Sequence, residues 1–305
     1  MKPKIGVIGL GIMGGAMAEA LLAAGFKVTG YDVRPQPRQR LKKSGGRVLA
    51  STTAVARGAD ILITSLATVT ALDDAIEKIA VAQRTKRGAK SSQQLIVIDT
   101  STLPIADKER ARQRLQRVGI AVLDCPISGT AVRMKEGAWT IFVSGSAAAS
   151  RRVKPVLAVF TRNAPYVGAF GNGTKMKFIA NHMVAIYNVA VGESMTFARK
   201  MGLDARRVWD LFSANPIINN GVYKLRGKFM VDRQYLPATM KVEVWQKDMQ
   251  VIGDMAKAVD CPTPLFSACA PIYNAAMAQG LSQHDTASVC EVLDAMAGGK
   301  SRGRH

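Results

Sequence analysis

A glycine-rich turn near the N-terminus has the spacing of a phosphate-binding loop. Gly9, Gly11 and Gly14 follow the apolar run 5–8 in a G-x-G-x-x-G pattern, and a helix-compatible segment comes next. Glycines permit a tight turn and leave room for a pyrophosphate, while the start of the helix offers N–H groups to its oxygens. The pattern predicts a dinucleotide site with contacts from Gly9, Leu10, Gly11, Ile12, Met13 and Gly14.

Asp32 adds a second signal to this turn. It closes the next apolar segment, 27–31, where a carboxylate can accept hydrogen bonds from the hydroxyls of a ribose. A carboxylate at that point also repels a 2′-phosphate, so Asp32 predicts NAD as the cofactor. Arg34 lies two residues later and would soften this preference, which leaves NADP as the alternative.

A lysine and an asparagine one helical turn apart form a second candidate site. Lys177 and Asn181 follow the glycine-rich segment 171–175 with i, i+4 spacing, which places both on one face of a helix. An amine can take the proton of an alcohol as a hydride leaves, and can return it in the reverse reaction. We therefore interpret Lys177 as a general acid/base. His182 turns away from this face and is expected to pack, and His284 is assigned no role.

Short polar segments after the later strands are expected to face the cofactor or the substrate. The carboxyl edge of a parallel sheet is where the cofactor-lining loops lie, and a Ser-Gly turn can receive an anion. The expected cofactor contacts here are Leu66, Ala67, Ala71, Ser101 and Thr102. The expected substrate contacts in segment 124–130 are Ser128, Gly129 and Thr130.

The elements that must carry these residues alternate between strands and helices. Apolar runs at 61–64, 95–98, 121–123 and 139–143 are separated by helix-compatible stretches, which indicates an α/β protein with a Rossmann-type, doubly wound and mostly parallel sheet. Strand signals stop near residue 168. Helices are expected at about 173–200, after Asp204, at 240–259 and within 264–296. We predict a nucleotide-binding domain at 1–168, an all-α domain at 169–297 joined by the long helix, and a flexible basic tail at 298–305.

The motifs together resemble the β-hydroxyacid dehydrogenase family, which includes 3-hydroxyisobutyrate dehydrogenase and tartronate semialdehyde reductase. The resemblance covers nearly the whole chain, with G-L-G-x-M-G at 9–14, D-x-P-x-S-G at 124–129, a G-x-G-x-x-x-K-x-x-x-N pattern at 171–181 and a Lys-Asp pair at 247–248. It implies oxidation of a small 3-hydroxy acid by NAD(P), or reduction of the matching semialdehyde. It also implies that Lys177 is the catalytic lysine, that Asn181 contacts the substrate and that Lys247 lies beside the cofactor.

Three departures from the family pattern leave the substrate less well specified than the reaction. Thr130 replaces a second glycine, Ala180 replaces the first of two asparagines, and Ala67 replaces a proline. Relatives of this architecture also include imine reductases and 6-phosphogluconate dehydrogenases. Lys177 argues against the former, and a helical domain of about 130 residues is too short for the latter.

The chain is strongly basic, with 42 Lys and Arg against 22 Asp and Glu, a formal charge of +20. The basic residues concentrate in runs 34–47, 84–90 and 108–117, which are expected to be solvated surface, including Lys108. The charge raises the alternative of a non-catalytic nucleotide-sensing or nucleic-acid-associated protein. Specific nucleic-acid binding is not expected, because these runs contain none of the aromatic side chains that stack on bases.

The remaining composition predicts a cytoplasmic enzyme without a metal. The four cysteines are scattered and are expected to be small buried hydrophobes rather than disulfide partners or metal ligands. Apolar runs are too short for a membrane span, and a strand begins by residue 5, which leaves no room for a secretory signal. A long helix rich in small residues commonly needs a partner surface, so a homodimer or homotetramer is expected.

Overall fold

The computed structural model describes residues 2–85, 94–129, 137 and 139–299. The chain divides into two compact units, Met1–Lys177 and Phe178–His305, and this division falls within a long helix, Asn172–Lys200. Within the described part of the chain, no helix combines the length and the apolarity that a membrane crossing requires. The predicted contact Thr130, part of the basic run 84–90 and the end of the C-terminal tail lie outside the described residues.

The first unit is built on a seven-stranded sheet in the order β3-β2-β1-β4-β5-β6-β9. All neighbouring strands are parallel except β9, which runs antiparallel to β6. A separate two-stranded antiparallel sheet pairs β7 with β8. The strands are β1 Ile5–Ile8, β2 Val28–Tyr31, β3 Arg47–Val48, β4 Ile61–Thr64, β5 Ile96–Asp99, β6 Ala121–Asp124, β7 Ile127–Ser128, β8 Thr140–Ile141 and β9 Ser144–Gly145. This mostly parallel, doubly wound sheet confirms the predicted fold class.

Helices cover both faces of this sheet, which is why its central strands are continuous apolar runs. Alternate residues of β1, β4 and β5 enter opposite cores: Ile63 and Ile98 pack with α1, whereas Leu62 and Val97 pack with α4 and α5. The helices of this unit are α1 Ile12–Ala23, α2 Pro35–Lys43, α3 Thr52–Gly58, α4 Val69–Arg84, α5 Ile105–Gln116 and α6 Ala147–Leu157. The chain order reverses between β1 and β4, where ligands of such sheets bind.

The predicted strand at 139–143 is wrong as a single element. Its residues divide between β8, which pairs with β7, and a crossing to β9, which pairs with β6. Gly145 in β9 has φ of 120°, a conformation that favours glycine. The two-residue strand β3 is also absent from the sequence prediction, because two residues are too few to show an alternating pattern.

The second unit is helical. Its long helix, α7, starts in the first unit, and a short 3₁₀ helix, Thr286–Ser288, precedes the last helix. Gly202 ends α7 with φ of 80°, and Asp204 caps the next helix by accepting a hydrogen bond from the Arg206 amide at 2.9 Å, both as predicted. The helices are α7 Asn172–Lys200, α8 Ala205–Ala214, α9 Gly221–Asp232, α10 Val242–Ala258, α11 Pro264–Ala278 and α12 Val289–Met296.

Helix α9 was not predicted from the sequence. Its buried positions have helical spacing, but Arg226 and Gly227 occupy two of them beside Tyr223 and Met230. An apolar stripe is therefore not visible in this segment. Arg226 is buried because it pairs with the buried carboxylate of Asp285, a partner 59 residues away along the chain.

The Arg226–Asp285 pair is expected to dominate the stability of the second unit. Arg226→Met leaves the Asp285 carboxylate charged and buried, so the free energy of unfolding should fall by about 3–5 kcal/mol. Lys228→Met is the matched control, because the exposed Lys228 makes an i, i+4 pair with the half-buried Asp232 at 2.7 Å and such surface pairs contribute less than about 1 kcal/mol. Urea unfolding measures both variants. Equal losses in the two would contradict the assignment.

Candidate active site

The glycine turn joins β1 to α1 as the sequence predicts. Gly9 has φ of 85°, and its amide donates to the carbonyl oxygen of Tyr31 at 3.0 Å. A Cβ on Gly14 would overlap the Gly9 carbonyl oxygen, so only glycine lets α1 start this close to the strand. Gly11 caps α1, and a Cβ there would meet only the Arg34 guanidinium, at 3.5 Å, among the protein atoms within 4 Å. The turn therefore leaves space for a ligand beside the Gly11 backbone.

The start of α1 has the properties of an anion site. Within the described residues, α1 has no side-chain cap, and its first turn contains no acidic residue. Its first N–H groups and the positive end of its dipole therefore favour a negative group. The Arg40 guanidinium lies beside the turn and donates to the Leu10 carbonyl oxygen at 3.1 Å. These residues fit the pyrophosphate of a dinucleotide.

Asp32 holds the glycine turn in place, while its contact with a ribose stays a prediction. It is buried, and its Oδ2 accepts the Leu10 amide at 2.8 Å while its Oδ1 accepts the Arg34 amide at 2.9 Å. Burial alone would raise the pKa of Asp32, but the bonds from Arg34 and Leu10 and the charge of Arg34 outweigh it and hold the pKa below its ordinary value. The carboxylate stays ionised at neutral pH.

The loops after β4 and β5 are tied together. The Leu66 amide donates to the Ser101 hydroxyl at 3.0 Å, and that hydroxyl donates to Asp99 at 2.8 Å. Ser101 is buried, so its hydroxyl supports the Leu66 loop. Its direct contact with a cofactor stays a prediction. Of the other expected cofactor contacts here, Ala67 is exposed, and Ala71 and Thr102 are half-buried.

The expected substrate turn follows β7. Ser128 is half-buried and Gly129 is exposed, with φ of 141° at the glycine. A Cβ on Gly129 would overlap the ring of Trp139, so both the backbone conformation and the space require glycine. Asp124, four residues before Ser128, is fully buried at the end of β6.

The first turn of α7 is anchored to the ends of the sheet. The Gly173 amide donates to the Ser144 hydroxyl at 3.0 Å, and the Thr174 amide donates to Asp124 Oδ2 at 2.8 Å. A Cβ on Gly173 would lie 2.8 Å from the carbonyl oxygen of Asp124, which explains the glycine. Lys177 comes one turn after Gly173 and is buried, with 9% of its surface exposed.

The prediction that Lys108 lies on the solvated surface is wrong. Lys108 lies in α5 and is 2% exposed, and its ammonium donates to the Ser101 carbonyl oxygen at 2.8 Å and to the Asp124 carboxylate. Burial by itself would lower the pKa of Lys108, but the charges of Asp99 and Asp124 outweigh it and raise the pKa above its ordinary value. The buried stripe of α5 includes Lys108 at helical spacing, a signal that could have revealed it.

In the second unit, Asn181 and Lys247 contact the same carboxylate. The Asn181 amide donates to Asp248 Oδ2 at 2.9 Å, and the Lys247 ammonium lies 2.9 Å from Asp248 Oδ1. Asn181 and Asp248 are buried, whereas Lys247 is one-third exposed. His182 stacks on Phe266 with ring centroids 5.1 Å apart, which agrees with its predicted packing role.

The four cysteines are all free thiols. Cys125, Cys269 and Cys290 are buried as predicted, but Cys261 is exposed, so the prediction is wrong for that residue. Cys261 follows the end of α10 in a short connection before α11, where little covers it.

This sheet, its glycine turn and the helical unit define a dinucleotide-binding α/β protein. Residues 4–168 match the NAD-binding domain of 6-phosphogluconate dehydrogenase, and residues 171–293 match the NAD-binding family of NADP-dependent 3-hydroxyisobutyrate dehydrogenase. The chain belongs to the β-hydroxyacid dehydrogenase family, a family of NAD(P)-dependent oxidoreductases.

The chain aligns with named relatives over nearly their full length. The chain is 29% identical to L-threonate dehydrogenase of Cupriavidus necator, covering 96% of this chain and 97% of that one. It is 31% identical to 2-hydroxy-3-oxopropionate reductase of Escherichia coli, covering 97% and 99%. A crystal structure of 3-hydroxyisobutyrate dehydrogenase from Salmonella typhimurium superposes with a TM-score of 0.82 at 26% identity, covering 95% and 100%.

Proposed function

We propose that the protein transfers a hydride between NAD and a small 3-hydroxy acid, or reduces the matching semialdehyde in reverse. The relatives named above act on short hydroxylated or oxo acids, as their names state. The observation that carries the proposal is Lys177, a lysine with 9% of its surface exposed, on a helix whose first turn is fixed to the sheet. Bound NAD supplies the hydride acceptor.

Lys177 is proposed to handle the proton of the reaction. During oxidation its neutral amine accepts the hydroxyl proton, and during reduction its ammonium donates a proton to the forming alkoxide. Ser128 and the Gly129 turn are proposed to hold the substrate carboxylate, because a hydroxyl and backbone N–H groups suit an anion. Asn181 follows Lys177 by one turn of α7 and is proposed as a further substrate contact, as is Thr130.

The glycine turn, Asp32 and the loops carrying Leu66 and Ser101 are proposed to hold the cofactor. Arg34, Ala67, Ala71, Thr102 and Lys247 are proposed as the remaining contacts, as predicted from the sequence. The support from the structure is strongest at the turn, where the open backbone above Gly11 and the acid-free start of α1 suit a pyrophosphate.

A substrate screen tests the proposal. The wild-type protein is assayed by the absorbance of the reduced cofactor with L-threonate, 3-hydroxyisobutyrate and 2-hydroxy-3-oxopropionate, each with NAD or NADP in the appropriate redox state. We expect turnover of at least one acid and a higher kcat/KM with NAD. No turnover with any acid, together with DNA binding that survives physiological salt, would favour the nucleic-acid alternative.

Asp32 is expected to set the choice of cofactor. In Asp32→Ala and Asp32→Asn the charge that repels a 2′-phosphate is lost, so the ratio of kcat/KM for NAD to that for NADP should fall about tenfold, or ~1.4 kcal/mol. The asparagine keeps an acceptor for the Leu10 amide, so only the alanine variant should also weaken both cofactors. An unchanged ratio in both variants would refute the assignment of NAD.

We further propose a homodimer or homotetramer in the cytoplasm. Helix α7 exposes large apolar side chains along its length, including Ile179, Met183 and Phe197. Exposed apolar side chains on one helix favour an interface. Light scattering coupled to size exclusion measures the mass in solution, and a monomer at assay concentrations would contradict the oligomer.

A further inference from the structure

The buried ammonium of Lys108 joins the ends of three elements in the first unit. Its oxygen neighbours are the Ser101 carbonyl at 2.8 Å, Asp99 Oδ2 at 3.0 Å, the Thr174 hydroxyl at 3.1 Å and Asp124 Oδ1. Ser101 and Asp99 lie at the end of β5, Asp124 at the end of β6, and Thr174 in the first turn of α7. One charged group thus links two strand ends to the start of the long helix.

Two partners of Lys108, Ser101 and Asp124, also support residues of the proposed site. Ser101 holds the Leu66 amide through its hydroxyl. Asp124 accepts both the amide and the hydroxyl of Thr174 at 2.8 Å, and Thr174 precedes Lys177 by three residues on α7. A displacement of Asp124 would therefore move the turn that carries Lys177.

Stability alone does not account for a lysine at this point. A buried ion pair costs desolvation, and replacing such pairs by apolar residues of similar volume is often neutral or stabilising. The other buried positions of α5 are Ala111 and Leu115, ordinary apolar core residues. A methionine at position 108 has no ammonium group. It therefore cannot hold the Asp99 and Asp124 carboxylates and the Thr174 hydroxyl in one arrangement.

We propose that Lys108 is a positioning residue that fixes the first turn of α7, and through it Lys177, against the carboxyl ends of β5 and β6; this rests on the proposed role of Lys177. Lys108 does not itself exchange a proton with the substrate. It acts by restricting where the amine of Lys177 can lie, and misplacing a catalytic group by about 1 Å can cost on the order of 100-fold in rate.

Lys108→Met tests the proposal through two separate measurements on the full chain. Amide hydrogen exchange at Thr174 should become about tenfold faster, because the bond to Asp124 opens more often. With whichever acid of the panel above the wild type turns over best, kcat should fall on the order of 100-fold while KM for NAD stays within about twofold. Arg110→Met is the matched control on the same helix, since Arg110 is exposed, and should change neither quantity.

A second variant shows whether the defects of Lys108→Met come from the lost contacts of Lys108 or from an unbalanced buried charge. It also provides a variant that is expected to fold if the single variant does not. Lys108→Met combined with Asp99→Asn removes one positive and one negative charge, so the net charge of the cluster is unchanged. We expect this variant to fold and to keep both defects. Wild-type exchange at Thr174, wild-type kcat in Lys108→Met, or recovery of both quantities in the double variant would overturn the proposal.

The exchange measurement distinguishes failure of this proposal from failure of the proposed function. Lys177→Ala should leave exchange at Thr174 unchanged, because the Thr174 amide bonds to Asp124 and not to Lys177. If Lys177→Ala retains activity, the proposed proton transfer is wrong and Lys108 has no catalytic group to position. Faster exchange in Lys108→Met would still show that Lys108 holds the turn.

Discussion

Lys177→Ala is expected to lower kcat by about 10²–10⁴-fold, the range that general acid–base catalysis contributes. Lys177 is buried and follows a helix turn that Asp124 and Ser144 fix through backbone amides. The proposed cofactor contacts lie in the glycine turn and in other loops, so the Kd for NAD should stay within about threefold. Steady-state kinetics and cofactor fluorescence measure the two effects separately.

Two control variants make this result specific. Lys177→Arg keeps a positive charge but cannot lose its proton near neutral pH, so it should be nearly as inactive as the alanine variant. Lys175→Ala removes an exposed lysine two residues earlier on α7 and should retain wild-type kcat. Activity in Lys177→Arg would show that charge, not proton transfer, is what the site needs.

Gly11→Ala is expected to weaken NAD binding on the order of 100-fold, or ~2.7 kcal/mol, without loss of folding. A methyl group at Gly11 would meet only the Arg34 guanidinium, at 3.5 Å, among the protein atoms nearby, so the protein has room for it. That space is where the pyrophosphate is proposed to lie. Isothermal titration with NAD measures the affinity.

Gly58→Ala is the matched control for the glycine turn. Gly58 ends α3 in the same unit, and a Cβ there would have no heavy atom within 4 Å. Its NAD affinity and melting temperature should equal those of the wild type or exceed them slightly. If Gly11→Ala binds NAD as tightly as Gly58→Ala, the pyrophosphate is not held at this turn.

The first unit shows which parts of a site are predictable from local sequence. The strand, turn, helix and Asp32 lie within 28 consecutive residues, and their pattern specifies both the backbone conformation and its ligand chemistry. Lys177 was predicted from a similarly local pattern of glycines and one-turn spacing. The structure adds that Asp32 also bonds to the Leu10 amide.

Lys108 shows what such patterns do not reveal. Its burial depends on the carboxylates of Asp99 and Asp124, which lie at the ends of two other elements and are adjacent only because β5 and β6 pair. The run of basic residues around it favoured a surface position. Arg226 in α9 is a similar case, because its burial depends on the distant Asp285. A buried arginine interrupts the apolar pattern from which the helix could have been predicted.

The segment after β6 was predicted incompletely for a different reason. A continuous apolar run at 139–143 indicates a strand but not its partner, and here neighbouring residues pair with β7 and β6 in turn. The two-residue strands β8 and β9 belong to different sheets, and the chain passes from one sheet to the other between them. Gly145 in β9 has a positive φ. Composition alone does not specify such crossings.

Amine rescue of Lys177→Ala is the most direct test of proton transfer by Lys177. The variant is mixed with NAD and its best substrate in a single turnover, and methylamine is added over a range of concentrations and pH. The hydride-transfer rate should rise in proportion to the free amine in the oxidation direction, while Lys175→Ala shows no such dependence. A rate that methylamine does not change, or a variant as fast as the wild type without it, would contradict the role of Lys177.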